Sequence, residues 1–193
     1  MADDLRAQLE EHQAVVAAAA ALLPSIDELA GLIIGAFQRG GRLITFGNGG
    51  SAADAQHFAG ELVGRYRSTR RPLPALALNT DPSVVTSIAN DFGFDDLFAR
   101  QVEAHARPGD VVVGITTSGR SENVVRGLRA ARRQGAAAVA LTGADGGPAA
   151  EAAELAIRVP SLDTARIQET CVLLIHLVCD RIDAWVRREG GGG

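Results

Sequence analysis

Cysteine is scarce in this sequence: Cys171 and Cys179 are the only two in 193 residues. On a helix their spacing separates them by about 12 Å, beyond disulfide reach. No disulfide framework is available, and a reducing cytoplasm is the expected compartment. Long apolar runs are missing too. The longest, Ala14 to Leu23, has ten residues and is too short to span a bilayer. The opening stretch, MADDLRAQLEEHQ, is acidic and polar where a secretory leader would be basic and then apolar. The net charge is -4 and no basic run dominates a face, which removes the electrostatic ground for nucleic acid. Arginines do gather at Arg65, Arg67, Arg70 and Arg71, read either as a solvated loop or as a phosphate contact. Neither a linker nor an internal repeat is visible. Residues 1–193 are therefore expected to form one domain with a proper core.

What is present alternates. Short apolar runs at 42–47 (RLITFG), 75–78 (ALAL), 111–116 (VVVGIT), 137–143 (AAVALTG) and 155–160 (LAIRVP) suit buried strands and are too short for typical helices. Between them lie helical patterns at 83–91, 96–106, 121–135 and 147–154, and a last long one spans 164–189. Upstream, Ser25 to Arg39 reads as a helix capped by Ser25 and stopped by Gly40-Gly41. This alternation predicts an α/β fold, a five-stranded parallel sheet with helices on both faces. Residues 1–40 form a helical extension whose alanine-rich face needs a partner, such as another subunit. Residues 190–193 read as a disordered Gly tail.

In such a sheet, ligands sit beyond the carboxyl ends of strands. Two strand-end turns have fitting chemistry. Gly47-Asn48-Gly49-Gly50-Ser51 lets backbone amides approach an anion at the start of a helix. It is not GxGxxG and lacks the lysine of a P-loop, which disfavours dinucleotides and ATP. Thr116-Thr117-Ser118-Gly119-Arg120-Ser121-Glu122 offers hydroxyls, with Ser121 as a helix cap. Together the two turns predict a phosphate-ester cradle. Downstream, His57 and Glu61 stand four residues apart, on one helix face and about 6 Å apart along its axis. On the last helix, Gln168 and His176 are two turns apart within an otherwise apolar stretch.

The run TTSGRSENV resembles the phosphosugar signature of the sugar isomerase (SIS) domain family. GNGGSAADAQHFAGELVGRY, ALNTD, IANDFG and ARIQET with His176 look like its phosphoheptose isomerase branch, over residues 40 to 183. The resemblance implies a flavodoxin-like three-layer sandwich acting as an aldose–ketose isomerase on sedoheptulose 7-phosphate, with no organic cofactor. It implies Glu61 as general base and His176 as general acid, and a zinc ion held by His57, Glu61, Gln168 and His176. Substrate contacts are implied at Asn48, Gly49, Gly50, Asn90, Asp91, Thr116, Thr117, Ser118, Ser121 and Gln168. Ser51 joins them through the turn it closes, and Arg65 is expected to orient Glu61 or to reach across an interface. The branch further implies a homotetramer, with His176 supplied by either subunit. On a regular helix Gln168 and His176 would be about 12 Å apart, so both must lean inward or the first turn must loosen.

Many isomerases of this branch carry His-Cys after GNGGS, where this chain has Ala52 and Ala53. A sister branch keeps the fold as a scaffold for the bacterial replication initiator, and SAADAQHFA and TGADGG resemble that branch too. Glu61 and His176 favour the enzyme. A third reading, a sugar-phosphate-sensing regulatory domain, normally comes with a further domain.

Overall fold

The computed structural model describes residues 2–190, so the expected tail falls outside it except for Gly190, which closes the last helix. Two helices come first, α1 (Ala2–Ala18) and α2 (Leu23–Gln38), joined by a 3-10 turn at Ala19–Leu22. Five strands follow: β1 (Leu43–Gly47), β2 (Ala75–Ala77), β3 (Val111–Thr116), β4 (Ala137–Thr142) and β5 (Leu155–Arg158). Between and after them run α3 (Gly50–Val63), α4 (Pro82–Asp91), α5 (Leu97–His105), α6 (Glu122–Arg133), α7 (Gly147–Ala152) and α8 (Thr164–Gly190).

All strands pair in parallel in the order β2-β1-β3-β4-β5, the flavodoxin-like arrangement. Alternation along each strand divides the core. Leu43, Val111, Val113 and Ile115 face α2, α3 and α8, while Ile44, Phe46 and Val112 face α4 to α7. The three-layer α/β sandwich expected from the alternation is therefore present. Every strand falls within two residues of its expected bounds.

One capping expectation fails. Ser25 does not cap α2, which begins at Leu23 with Pro24 in its first turn. The 3-10 turn feeds the chain in early, and proline is pre-set for a helix start. The glycine stop holds, with Gly40 at φ 80°. On length and composition alone, the helical stretch Asp4–Gln38 passes as a membrane span, contrary to the short run read from sequence. Yet Ile26, Leu29, Ile33 and Phe37 of α2 are packed into the core. The most apolar part of that stretch is only 28% buried in the chain, and Leu5, Leu9 and Leu23 along it are exposed.

Two contacts fix the start of α8 to α1. His12 Nδ1 lies 2.8 Å from Glu169 Oε2, and the Arg166 guanidinium donates to the Gln8 carbonyl. Gln168 lies between those two anchors.

Candidate active site

In the order β2-β1-β3, the chain leaves β1 towards one edge and β3 towards the other. The crevice of such a sheet opens at that switch point. Both glycine turns lie there, at the carboxyl ends of β1 and β3. Gly47 permits the first turn, because a Cβ there would stand 2.7 Å from the Ser51 carbonyl oxygen and 2.8 Å from that of Ile115. Gly49 occupies the cap position at φ 56° and no side chain caps α3. The Ala52 and Ala53 amides bond to the Gly49 carbonyl, which leaves the Gly50 and Ser51 amides to an incoming anion.

In the second turn Ser121 does take the cap position of α6, but its hydroxyl does not cap the helix. It lies 3.2 Å from the Thr116 hydroxyl. Thr116 is buried, Thr117 half-buried and Ser118 exposed, so the hydroxyls line the turn from its base to its lip. Gly119, at φ 66°, packs directly on the Gly146 carbonyl, where any side chain would collide.

A residue without an assigned role in the sequence joins the turns. Asn48 Nδ2 donates to Asn123 Oδ1 at 2.8 Å, and Asn123 Nδ2 donates back to Asn48 Oδ1 at 3.0 Å. Asn123 is buried and also accepts from the Val124 amide at 2.9 Å. Asn79, within ALNTD, similarly donates to the Gly47 carbonyl at 2.8 Å. Replacing Asn123 with alanine is expected to raise KM for a phosphosugar about tenfold, ~1.4 kcal/mol, with little further loss when Asn48→Ala is added. Steady-state kinetics of the two single variants and the double variant check this coupling.

Beyond the cradle, α3 and α8 bring three side chains together. His57 Nε2 is 2.9 Å from His176 Nε2 and 3.7 Å from Glu61 Oε1. One donor atom from each of the three residues lies within 4.8 Å of the others. His176 meets His57 of its own chain, so no neighbouring subunit is needed to supply it. The Gln168 side chain rests against Gly50, where a Cβ would overlap it, so it lines the mouth of the first turn. α8 is helical from Thr164 onward, so Gln168 does not lie in a loosened first turn.

Three expected residues are not joined to this cluster. Asn90 and Asp91 end α4, both exposed, and bond to each other at 2.7 Å. Arg65 is exposed and forms no ion pair among the described residues, so it does not orient Glu61 within the chain. The solvated-loop reading of the arginine cluster fits exposed Arg65, Arg67 and Arg71 but not Arg70. Arg70 is an internal brace, its Nε 2.8 Å from Asp183 Oδ1 with both side chains buried, while Arg67 and Arg71 pair with Asp180 and Glu189.

Asp54, one turn before His57, is buried with Oδ2 unpartnered. Burial pushes its carboxyl up to about 6, partly offset by His57. With the folded value above the ordinary one, the native chain holds a proton that the unfolded chain has lost, and stability falls as pH rises from about 4 to about 6. Asp54→Asn is expected to raise Tm at pH 7.5 by a few degrees, with no gain below about pH 4. Thermal unfolding across that range checks the sign. The thiols on α8 offer no ligand, since burial pushes Cys179 up to about 12 and raises Cys171 as well.

The cradle and the sheet order define a class, a sugar-phosphate-binding α/β domain, and the comparisons agree. The SIS domain model matches residues 8–143. A phosphoheptose isomerase of Geobacter sp. (strain M21) is 51% identical over 184 residues, 95% of this chain and 96% of that protein. Among solved structures, phosphoheptose isomerase from Neisseria gonorrhoeae superposes with a TM-score of 0.89 at 42% identity, covering 94% of this chain and 98% of that one. The enzyme from Francisella tularensis gives 0.91 at 35%, covering 94% and 97%. The chain belongs to the phosphoheptose isomerases of the SIS domain family, and is an enzyme that isomerises a sugar phosphate. The replication-initiator scaffold gives way to that conclusion.

Proposed function

We propose that the enzyme interconverts D-sedoheptulose 7-phosphate and D-glycero-D-manno-heptose 7-phosphate through an enediol(ate), within heptose biosynthesis. The observation that carries this reading is the Glu61–His57–His176 cluster set beyond a two-turn phosphate cradle. Along α3, His57 is about 10 Å from Gly50. An open seven-carbon chain with its phosphate spans on the order of 9–10 Å at about 1.2 Å per bond, so the reacting end of a heptose reaches the cluster.

The phosphate is received by the amides of the first turn and the hydroxyls of Thr116, Thr117, Ser118 and Ser121. Asn48, Gly49, Gly50, Ser51 and Gln168 line the path of the sugar. Glu61 removes a proton from C1 while His176 donates one to the C2 carbonyl oxygen, giving the 1,2-enediol. Return of a proton from Glu61 to C2 and loss of the O1 proton to His176 give the aldose. This chain contains no lysine, so a lysine imine plays no part in the reaction.

His57, Glu61 and His176 have the donor chemistry of a zinc site, and the Gln168 amide oxygen would be a fourth ligand once turned from Gly50 towards them. Zinc, when bound, supplies Lewis-acid polarisation of the substrate carbonyl. Asn90 and Asp91, exposed on α4 beside exposed Phe92, suit sugar hydroxyls in the site of a neighbouring copy, and Arg65 suits a contact across the same boundary. That arrangement and the apolar N-terminal face support a homotetramer built from a single SIS domain per chain. The two free buried cysteines suit the reducing cytoplasm.

Phosphorus and proton NMR of the purified enzyme with sedoheptulose 7-phosphate or fructose 6-phosphate tests the substrate. The expected kcat/KM favours the heptulose at least tenfold, ~1.4 kcal/mol of contacts. Equal turnover of the two would overturn the heptose assignment.

A further inference from the structure

We propose that Tyr66 is a positioning residue, holding the imidazole of His176 in line for proton transfer. The inference rests on the reading of His176 as the acid. Tyr66 is the chain's single tyrosine and lies in the connection from α3 to β2, residues 64–74. Connections in α/β units usually take about 2–6 residues, so this one is long for its topological task.

Its ring stacks on His176, with centroids 5.3 Å apart and planes inclined by 29°. The same imidazole meets His57 edge-on, at 5.1 Å and 68°. An imidazole on a helix turns broadly about its second side-chain torsion. Contact with one flat face and one edge restricts that rotation and leaves Nε2 directed at His57 and Glu61. The Arg67 guanidinium lies 5.1 Å from the Tyr66 ring centre, adding a cation–π contact.

The connection is pinned where a positioning device has to be. Asp183 Oδ2 accepts from the Arg67 amide at 3.1 Å and the Ser68 amide at 3.0 Å, the two residues after Tyr66. Asp183 lies two turns beyond His176 on α8. Its other oxygen holds Arg70, which donates to the carbonyls of Glu61 at 2.7 Å and Leu62 at 2.8 Å. One strap thereby ties the end of α3 that carries Glu61 to the helix that carries His176, with Tyr66 immediately before its pinned residues.

Loss of the stacking face lowers kcat and leaves KM nearly unchanged, because phosphate and hydroxyl contacts lie in the two turns. Tyr66→Phe keeps the ring. Tyr66→Leu keeps apolar bulk without a planar face, at a half-buried position where no core cavity opens. With sedoheptulose 7-phosphate, the phenylalanine variant is expected within about twofold of wild type. The leucine variant is expected to lose about tenfold or more in kcat, with KM within about twofold. Tm of both should stay within a few degrees of wild type. A leucine variant with wild-type kcat, a loss carried by KM, or a phenylalanine variant as poor as leucine would overturn the proposal. Should wild type fail to turn over this sugar, the functional reading fails instead. The positioning claim is then decided by a crystal structure of Tyr66→Leu, in which His176 is expected to leave its contact with His57. A retained contact would sink it.

Discussion

Replacing Glu61 with glutamine is expected to lower kcat about a thousandfold or more while changing KM only a few-fold. The amide keeps the shape of the side chain and its place on α3 but cannot take a proton from C1. The fold should tolerate the change. The Glu61 side chain is 20% exposed, and its one ion-pair candidate among the described residues is His57 at 3.7 Å. Its structural contribution is made by the backbone carbonyl that Arg70 grips, which glutamine retains. Near-UV circular dichroism and Tm unchanged from wild type, together with the lost turnover, give the expected result. A variant with more than about a tenth of wild-type kcat would remove Glu61 from the role of base.

The second large effect is on stability. Asp183→Ala leaves the Arg70 guanidinium buried without its counter-charge, and removing one partner of a buried pair costs about 3–5 kcal/mol. For a chain of this size the loss corresponds to a fall in Tm of about 10 °C. Burial works against the Asp183 charge, but hydrogen bonds from Arg70, Ser68 and Arg67 outweigh it and hold the carboxyl below its ordinary range. A depressed folded-state value means that the stabilisation is complete above the unfolded value, near pH 4. It is lost as pH falls through the lower, folded one. Wild type and Asp183→Ala are therefore expected to converge in Tm on acidification below about pH 4. A constant Tm difference down to pH 2 would contradict the paired charge. Activity should fall with stability, since the strap that seats Tyr66 hangs on Asp183.

The layers of the fold were legible because strand and helix periods differ and the central strands β1 and β3 are buried on both faces. VVVGIT has no solvent face to blur its limits, and it forms β3 from Val111 to Thr116 as expected. The misplaced start of α2 arose from local chemistry: Ser25 is a good cap, but the chain already enters helix through Pro24. In the site, His57 and Glu61 were legible from their spacing on one helix, and His176 was implied by resemblance. Their meeting is long-range, with 119 residues separating His57 from His176.

What the sequence concealed has the same character. Arg70 and Asp183 are 113 residues apart, and nothing local marks that arginine as buried among four in the same cluster. Asn48 and Asn123 are 75 apart, so a reciprocal amide pair has no local signature. Tyr66 stood inside the quoted run GNGGSAADAQHFAGELVGRY, and its being the lone tyrosine was the one available signal. Gln168 looked too far from His176 along the helix, yet it closes the first turn by leaning on Gly50, where no Cβ obstructs it.

The central claim is that Glu61 and His176, both held beyond the cradle of one chain, transfer the proton between C1 and C2 of a heptose phosphate. Parallel assays of wild type, Glu61→Gln and His176→Gln with sedoheptulose 7-phosphate, with and without added zinc, test it most directly. Aldoheptose phosphate formed by wild type and lost in both variants, with all three proteins equally folded, is the predicted result. A folded wild-type protein inactive under both metal conditions, or variants that keep full turnover, would contradict it.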